Sequence, residues 1–210
     1  HYYEYTLKGE GVETWHPRFS YYGFRYIQVE GAVLKGQKNT LHLPVIQKIQ
    51  SCFVYNSAPK VSTFQCSNRI FNEAHRLIEK AVRSNMQSVF TDCPHREKLG
   101  WLEQDHLCGP GLLYNYDLTG FLPQTLQNIA DAQHANGAVP TTAPEYVVFE
   151  GPGMDAFAES PEWGCTFVVL PFMYYETYGD DSLIRKYYNG IRRYIDYMTT
   201  RANDGIVSFG

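Results

Sequence analysis

The sequence has no excess of positive charge and no long hydrophobic run. Its 210 residues contain 18 Lys and Arg against 22 Asp and Glu, which gives a formal net charge of −4. Nucleic-acid recognition needs a basic patch or stripe, so this balance indicates no nucleic acid partner. A membrane-spanning helix needs about 18 consecutive apolar residues, and no run approaches that length. We therefore predict no membrane partner either.

Cysteine is sparse and its spacing is uninformative. The five cysteines include no Cys-x-x-Cys pair, and their odd number leaves at least one thiol outside any disulfide. The pattern is neither that of a disulfide-stabilised domain nor that of a structural zinc site. No spacing of His with acidic residues matches a known ligand set, so no metal site is predicted.

Hydrophobic and aromatic residues are plentiful. Hydrophobic residues make up 44% of the chain and aromatic residues 15%, with 17 Tyr, 12 Phe and 3 Trp. This composition can bury a core, and the length allows one or two domains. Aromatic faces stack on sugar rings, but the same residues also suit an ordinary aromatic core.

Neither end of the chain resembles a natural terminus. The sequence opens on His1 without a Met, a basic stretch or an apolar stretch, and it ends in the strand-like segment 206–210. A secretory signal would show a basic and then an apolar region. We therefore expect the chain to be a fragment of a longer protein.

The hydrophobic period changes near residue 66. Residues 1–65 contain short apolar stretches that are separated by turn residues. This pattern predicts antiparallel β structure and part of a sandwich. Residues 66–210 predict an all-α region, because apolar residues there recur at helical spacing. The predicted helices begin near Asn68, Phe121, Trp163 and Ser182, and a weaker one follows Leu102.

The densest polar segment covers residues 91–106. It holds four carboxylates, two imidazoles, two fixed cations and a Trp, and its Pro and Gly residues predict a loop. Asp92 and Glu97 supply two carboxylates, the minimal equipment for glycosidic cleavage. Burial against Trp101 would raise the pKa of Glu97, and Arg96 beside Asp92 would keep that carboxylate ionised. The alternative interpretation is a solvated charged loop.

The segment Thr-Asp-Cys-Pro-His-Arg-Glu-Lys-Leu-Gly-Trp at 91–101 closely resembles the signature loop of the bacterial α-L-rhamnosidases of glycoside hydrolase family 78. Residues 16–26 resemble the strand before the catalytic domain of that family. Residues 160–180 resemble its Trp-Gly segment and the following helix. The resemblance spans about residues 16 to 198 in collinear order, and the loop motif is long enough to be specific.

The resemblance implies a fold and an activity. Residues 1–65 would be the end of a β-sandwich module, and residues 66–210 the first part of an (α/α)6 barrel. The expected activity is inverting hydrolysis of terminal α-L-rhamnose from glycans or glycosides. It requires no cofactor, its partner is the carbohydrate substrate, and family habit suggests a periplasmic or secreted location.

The resemblance also implies roles for individual residues. Glu97 matches the general acid of the family, and Asp92 matches the carboxylate that holds sugar hydroxyls. Arg96 and Trp101 match residues that contact the sugar. Trp163 is expected to form a second wall of the pocket.

The sequence also departs from the family pattern. Gln104 stands where the family has a substrate-contacting Asp, and Glu103 offers an acid one position earlier; it either takes over that role or is a surface residue. Cys165 stands where many members have Asp. The general base of the family lies in a later part of the barrel, outside this chain. We therefore expect the chain alone to be inactive and poorly soluble.

Two alternative functions stay open. One is an (α/α)6 glycosidase that acts on a different sugar, and the other is a non-catalytic carbohydrate-binding homologue. Glu145 and Asp155, in loops between helices, are further candidates for the pocket mouth, although solvent-facing turn acids are the commoner interpretation.

Overall fold

The structure, a computed structural model, describes residues 2–154 and 157–207. The chain divides into two compact units, His1–Val54 and Tyr55–Gly210. Residues 55–65 bond within the second unit, since the Asn56 amide donates to the Met86 carbonyl at 3.0 Å. The division into domains at residues 65 and 66 stays a prediction.

The first unit has little regular structure. Its strands β1 (Val33–Leu34) and β2 (Val45–Ile46) form a parallel pair. The Asn39 side chain closes the connection between them, because it both donates to and accepts from the Leu43 backbone at 2.7 and 2.8 Å. Among the described residues of this unit there is no other ladder and no buried side chain, so the predicted antiparallel sandwich is not confirmed. Without a core, nothing selects one face of a pleated strand.

The second unit is mostly helical, as predicted. Its elements are α1 (Arg69–Asn85), α2 (Glu103–Leu107), α3 (Gly109–Asn115), α4 (Leu122–Ala132), α5 (Pro161–Gly164), α6 (Thr166–Tyr178), α7 (Ser182–Arg201) and the antiparallel pair β3 (Ala202–Asn203) and β4 (Ile206–Val207). None of the helices in the described part of the chain is long and apolar enough to cross a membrane.

The helix ends follow from local chemistry. Asn68 caps α1, since its side-chain oxygen accepts from the Ile70 amide at 2.9 Å. Gly179 ends α6 in the left-handed region, with φ 68°. The helix predicted from Trp163 is in fact two helices that join at Cys165, and α6 accommodates Pro171 inside it.

Helices α4, α6 and α7 form the core of the second unit. The side chains of Leu126, Ile129, Phe167 and Leu170 are fully buried where these helices meet. Helix α6 is apolar around most of its circumference, which is typical of a helix packed on several sides. The loop after α4, which carries Glu145 and Phe149, therefore starts from a rigid support.

Helix α1 differs from the core helices in burial, because its apolar face is exposed to solvent. Ile70, Phe71, Leu77 and Ile78 are each at least 58% exposed, and no residue of α1 is buried. An exposed apolar face of this kind promotes association.

Candidate active site

The signature loop (residues 91–101) is anchored at both ends. At its start, the Thr91 amide donates to the Asn85 carbonyl at 3.0 Å. At its end, the Ala143 amide donates to the Gly100 carbonyl at 3.0 Å. Gly100 lies so close to Ala143 that a Cβ there would approach the Ala143 carbonyl oxygen to 2.6 Å. The loop therefore needs glycine at this position and holds its polar side chains between two fixed points.

The loop brings Asp92, Cys93 and Glu97 together. One polar side-chain atom of each lies within 4.8 Å of the others. The Arg96 guanidinium lies 3.1 Å from Glu97 Oε1 and 3.9 Å from Asp92 Oδ2. A metal ion at this cluster would meet that guanidinium, so the arrangement suits a shared proton better than a cation.

The pKa of Glu97 is raised above its ordinary value. The main cause is a hydrogen bond shared with the Asp92 carboxylate, followed by burial and by the negative charge of Asp92. Arg96 and a hydrogen bond with Trp101 act in the opposite direction. The direction agrees with the expectation from sequence, and burial contributes to it, but the largest cause is Asp92, and Trp101 itself acts to lower the pKa.

Asp92 retains unused hydrogen-bonding capacity. Its Oδ1 is buried and has no hydrogen-bond partner among the described residues. A buried acceptor without a donor costs about 1–3 kcal/mol of stability. Such an atom in a cluster of charged groups is typical of a functional site rather than a structural one.

An aromatic wall stands at the end of the signature loop. Trp101 stacks on Phe149 with ring centroids 5.4 Å apart and lies 6.1 Å from Trp163. A bridge to Thr142 fixes the Trp101 backbone. The structure thus brings together the two tryptophans singled out from the sequence. Phe149 gave no sequence signal, because it lies in an irregular loop without periodicity.

Glu103 is the half-buried first residue of α2. Burial lowers the pKa of His106, an effect that the charge of Glu103 opposes. Burial raises the pKa of the Cys165 thiol, and the charges of Glu162 and, less, Glu103 add to that rise. His106 Nδ1 lies 2.6 Å from Thr166 Oγ1, which in turn donates to the Leu102 carbonyl at 2.8 Å. His106 therefore holds α2 against α6, and Glu103 lies next to that contact.

A second polar group is the histidine cluster (His134, Glu145, Glu159 and Tyr197). Glu145 was singled out from the sequence, but its grouping with the other three residues was not predicted. His134 Nε2 lies 3.2 Å from Glu145 and Nδ1 lies 3.3 Å from Glu159, while the Tyr197 hydroxyl donates to Glu159. Glu145 also lines a cleft of about 500 Å³. The members are far apart in sequence, so no motif could reveal them. Asp155, the other loop acid singled out, lies outside the described residues.

The carboxyl group of Asp105 is fully buried in α2. Burial raises its pKa well above the ordinary value, and Oδ1 has no partner among the described residues. Burial therefore disfavours the charged form of this carboxyl.

Two family models match the chain. Residues 59–209 match the bacterial alpha-L-rhamnosidase 6 hairpin glycosidase domain. Residues 1–55 match the bacterial alpha-L-rhamnosidase concanavalin-like domain. The helical second unit is thus similar to a six-hairpin glycosidase domain.

Curated relatives and solved structures agree with these matches. An alpha-L-rhamnosidase of Formosa agariphila is 30% identical over 99% of this chain and 21% of the relative, and one of Streptomyces avermitilis is 31% identical over 97% and 18%. The native Aspergillus terreus alpha-L-rhamnosidase structure has a TM-score of 0.68 at 30% identity, covering 91% of this chain and 21% of that one. The Streptomyces avermitilis enzyme complexed with L-rhamnose has a TM-score of 0.63 at 27% identity, covering 71% and 14%. The chain spans about a fifth of the length of the curated relatives it matches.

Proposed function

The chain belongs to the bacterial α-L-rhamnosidase family, and on this premise we propose that it forms part of an inverting glycoside hydrolase that removes terminal α-L-rhamnose. The observation that carries this proposal is the carboxyl pair Asp92 and Glu97, in which the pKa of Glu97 is raised beside an aromatic wall. A protonated carboxyl next to a surface suited to a sugar ring is what glycosidic cleavage requires.

Glu97 acts as the general acid in this proposal. A general acid must still hold its proton near the working pH, and a raised pKa extends the range over which it does. Glu97 is also reachable from solvent, since 29% of its side chain is exposed. It can therefore meet the glycosidic oxygen and protonate it as the bond to the anomeric carbon breaks.

Asp92 and Arg96 bind the hydroxyls of the sugar. The unpartnered Asp92 Oδ1 can accept a hydrogen bond from a sugar hydroxyl, which removes the cost of leaving that atom unpaired. The Arg96 side chain is 75% exposed and can donate to a second hydroxyl while staying within 3.1 Å of Glu97.

Trp101 and Trp163 form the walls of the pocket. Their rings meet at 58°, which leaves a corner rather than a flat platform. The apolar face of a deoxy sugar with its methyl group fits such a corner. We assign Glu103 to the rim of the pocket as a further substrate contact, because it is half-buried at the start of α2, two residues after Trp101.

The general base is a different carboxylate. An inverting site needs its acid and base about 6.5–9.5 Å apart, to leave room for a water. The nearest polar atoms of Asp92 and Glu97 lie within 4.8 Å, so these two residues belong to the same side of the substrate. The proposal therefore assigns the base to a later part of an (α/α)6 barrel, and it assigns residues 1–65 to an antiparallel sandwich module. Under this assignment the 210-residue chain alone does not turn over substrate.

The test uses the full-length protein and the release of phenol, a poor leaving group that needs the proton of the acid, from phenyl α-L-rhamnoside. Glu97→Gln keeps the shape of the side chain but has no proton to give, so turnover should fall by about 10²–10⁴-fold with little change in binding. Glu176→Gln, at an exposed position of α6, is the matched control and should leave turnover unchanged.

Each other outcome has a definite meaning. Near-normal turnover of Glu97→Gln would remove Glu97 from the acid role. No release by the folded wild type would contradict rhamnosidase activity and direct the test to other aryl glycosides. If the folded protein cleaved none of these glycosides, the result would favour the non-catalytic carbohydrate-binding homologue.

A further inference from the structure

The sulfur of Cys93 lies among the polar groups of the signature loop. The Glu97 amide donates to Cys93 Sγ at 3.3 Å, and the Cys93 thiol faces Glu97 Oε1 at 3.8 Å. The same sulfur shares a hydrogen bond with the Arg96 guanidinium. One side chain therefore contacts the backbone of Glu97, its carboxyl group and its neighbouring cation.

The backbone of this turn explains why the sulfur is needed. Residues 94–97 form a tight turn, and Lys98 directly after it has a φ of 58°, in the left-handed region. A chain that turns this sharply carries its amides away from ordinary backbone acceptors. Cys93 Sγ accepts from the Glu97 amide in the manner of a side-chain cap and so fixes the direction in which Glu97 leaves the turn.

On these contacts, we propose that Cys93 is a positioning residue for Glu97, and that it sets the orientation from which the acid delivers its proton. The proposal rests on the function proposed above. Cys93 is half-buried and its sulfur contacts polar atoms, so its side chain does more than fill space.

The contribution of an acid depends on the leaving group, and this dependence provides the test. A basic leaving oxygen needs its proton in the transition state, whereas a strongly electron-withdrawing phenol departs without one. A misdirected acid therefore slows poor leaving groups and spares good ones. Loss of folding or of sugar binding would slow both equally.

The experiment measures kcat and KM of the full-length protein on phenyl and dinitrophenyl α-L-rhamnoside. For Cys93→Ala, kcat on the phenyl substrate should fall by about 10-fold, a part of the whole contribution of a general acid, and kcat on the dinitrophenyl substrate by less than about 2-fold. KM should not change, because Asp92 and Arg96 remain in place.

Two further variants separate hydrogen bonding from packing. Cys93→Ser restores a group that both donates and accepts, so it should recover part of the lost rate. Cys93→Val keeps the bulk of the side chain but makes no hydrogen bonds, so its kcat values should match those of Cys93→Ala. It also provides the test if the alanine variant does not fold. Cys66→Ala is the matched control at another half-buried cysteine, whose sulfur contacts the Asn68 carbonyl at 3.3 Å.

The outcomes distinguish the positioning role of Cys93 from the proposed function on which it rests. Equal losses on both substrates, no loss at all, or recovery by valine rather than serine would each overturn the positioning role while rhamnosidase activity stands. A folded wild type that cleaves neither substrate would remove the proposed function, and the role of Cys93 would fall with it.

Discussion

The signature loop and the histidine cluster are both groups of charged side chains in the second unit, but they are built in opposite ways. In the signature loop, two carboxylates lie side by side and a buried oxygen of Asp92 has no partner. In the histidine cluster, one imidazole lies between Glu145 and Glu159, and Tyr197 donates to Glu159. The signature loop therefore keeps a buried hydrogen-bond acceptor without a donor, whereas each member of the histidine cluster contacts another member.

This difference supports the proposal that the signature loop, rather than the histidine cluster, contacts the substrate. Adjacent like charges and an unpartnered acceptor cost stability, and they persist where function needs them. A network whose members are all bonded instead stabilises the loops that carry it. Substitutions of Asp92 and Glu97 should therefore change activity with little effect on stability, and substitutions around His134 should do the reverse.

After Glu97→Gln, the largest effect is expected for Asp92→Asn in the full-length protein. The change removes a charged acceptor for sugar hydroxyls, and such bonds contribute about 1.5–3 kcal/mol, so kcat/KM should fall about 10- to 100-fold. The Tm should stay the same or rise, because a repulsive charge beside Glu97 is lost. Measuring kcat/KM and thermal unfolding on one preparation would check both the loss of rate and the unchanged or higher Tm. A lower Tm with an unchanged rate would give Asp92 a structural role instead of a role in binding the sugar.

Gly137 supports the histidine cluster and gives the next prediction. Its φ is +97°, and a Cβ there would lie 2.5 Å from the Arg193 carbonyl oxygen of α7. Gly137→Ala should therefore lower the free energy of unfolding by about 1–3 kcal/mol. Gly111→Ala is the matched control in α3, where the new Cβ meets nothing within 4 Å and should stabilise the helix by up to about 1 kcal/mol. Denaturant unfolding would show whether the two changes differ in sign.

His134→Ala should destabilise the protein by about 1–2 kcal/mol and leave kcat nearly unchanged. The loss is modest because the His134 side chain is 36% exposed, yet Glu145 and Glu159 would both lose their partner. His16→Ala, at an exposed histidine of the first unit, is the control. A large fall in kcat at unchanged stability would give the histidine cluster a role in turnover.

Asp105→Asn gives the smallest effect and depends on pH. Burial raises the pKa of Asp105, so the folded protein binds this proton more tightly than the unfolded chain. The stability of the wild type should therefore fall as pH rises above the ordinary Asp range, and the neutral asparagine should not share that fall. The variant should be more stable than the wild type by about 1 kcal/mol at neutral pH, with little gain in acid. Asp196→Asn, at an exposed position of α7, should show no such trend.

The sequence predicted the helices of the second unit well, because capping and period are local. Asn68 and Gly179 mark the ends of α1 and α6 through bonds and dihedral angles within a few residues of each position. The first unit was harder, because strand pairing depends on distant partners that no local pattern identifies. The apolar face of α1 was recognised from its spacing, but spacing alone does not reveal whether a face is covered.

The residues of the candidate site also divide into those that a local motif identifies and those that only the fold brings together. Asp92, Arg96 and Glu97 were identified because one short motif contains them. The fold assembles Phe149 and the histidine cluster from several loops and from α7, so sequence patterns singled out Glu145 alone among them and none of its partners. The role of Asp92 in raising the pKa of Glu97 also depended on a distance that sequence does not give.

The most direct test of the account is the pH dependence of kcat/KM for the wild type and for Asp92→Asn. The basic limb of this profile reports the pKa of the acid in the free enzyme. Asp92 raises the pKa of Glu97 through a shared hydrogen bond and its charge, so its removal should move the basic limb to lower pH. A basic limb that stays in place, or moves to higher pH, would show that Asp92 does not hold the proton on Glu97.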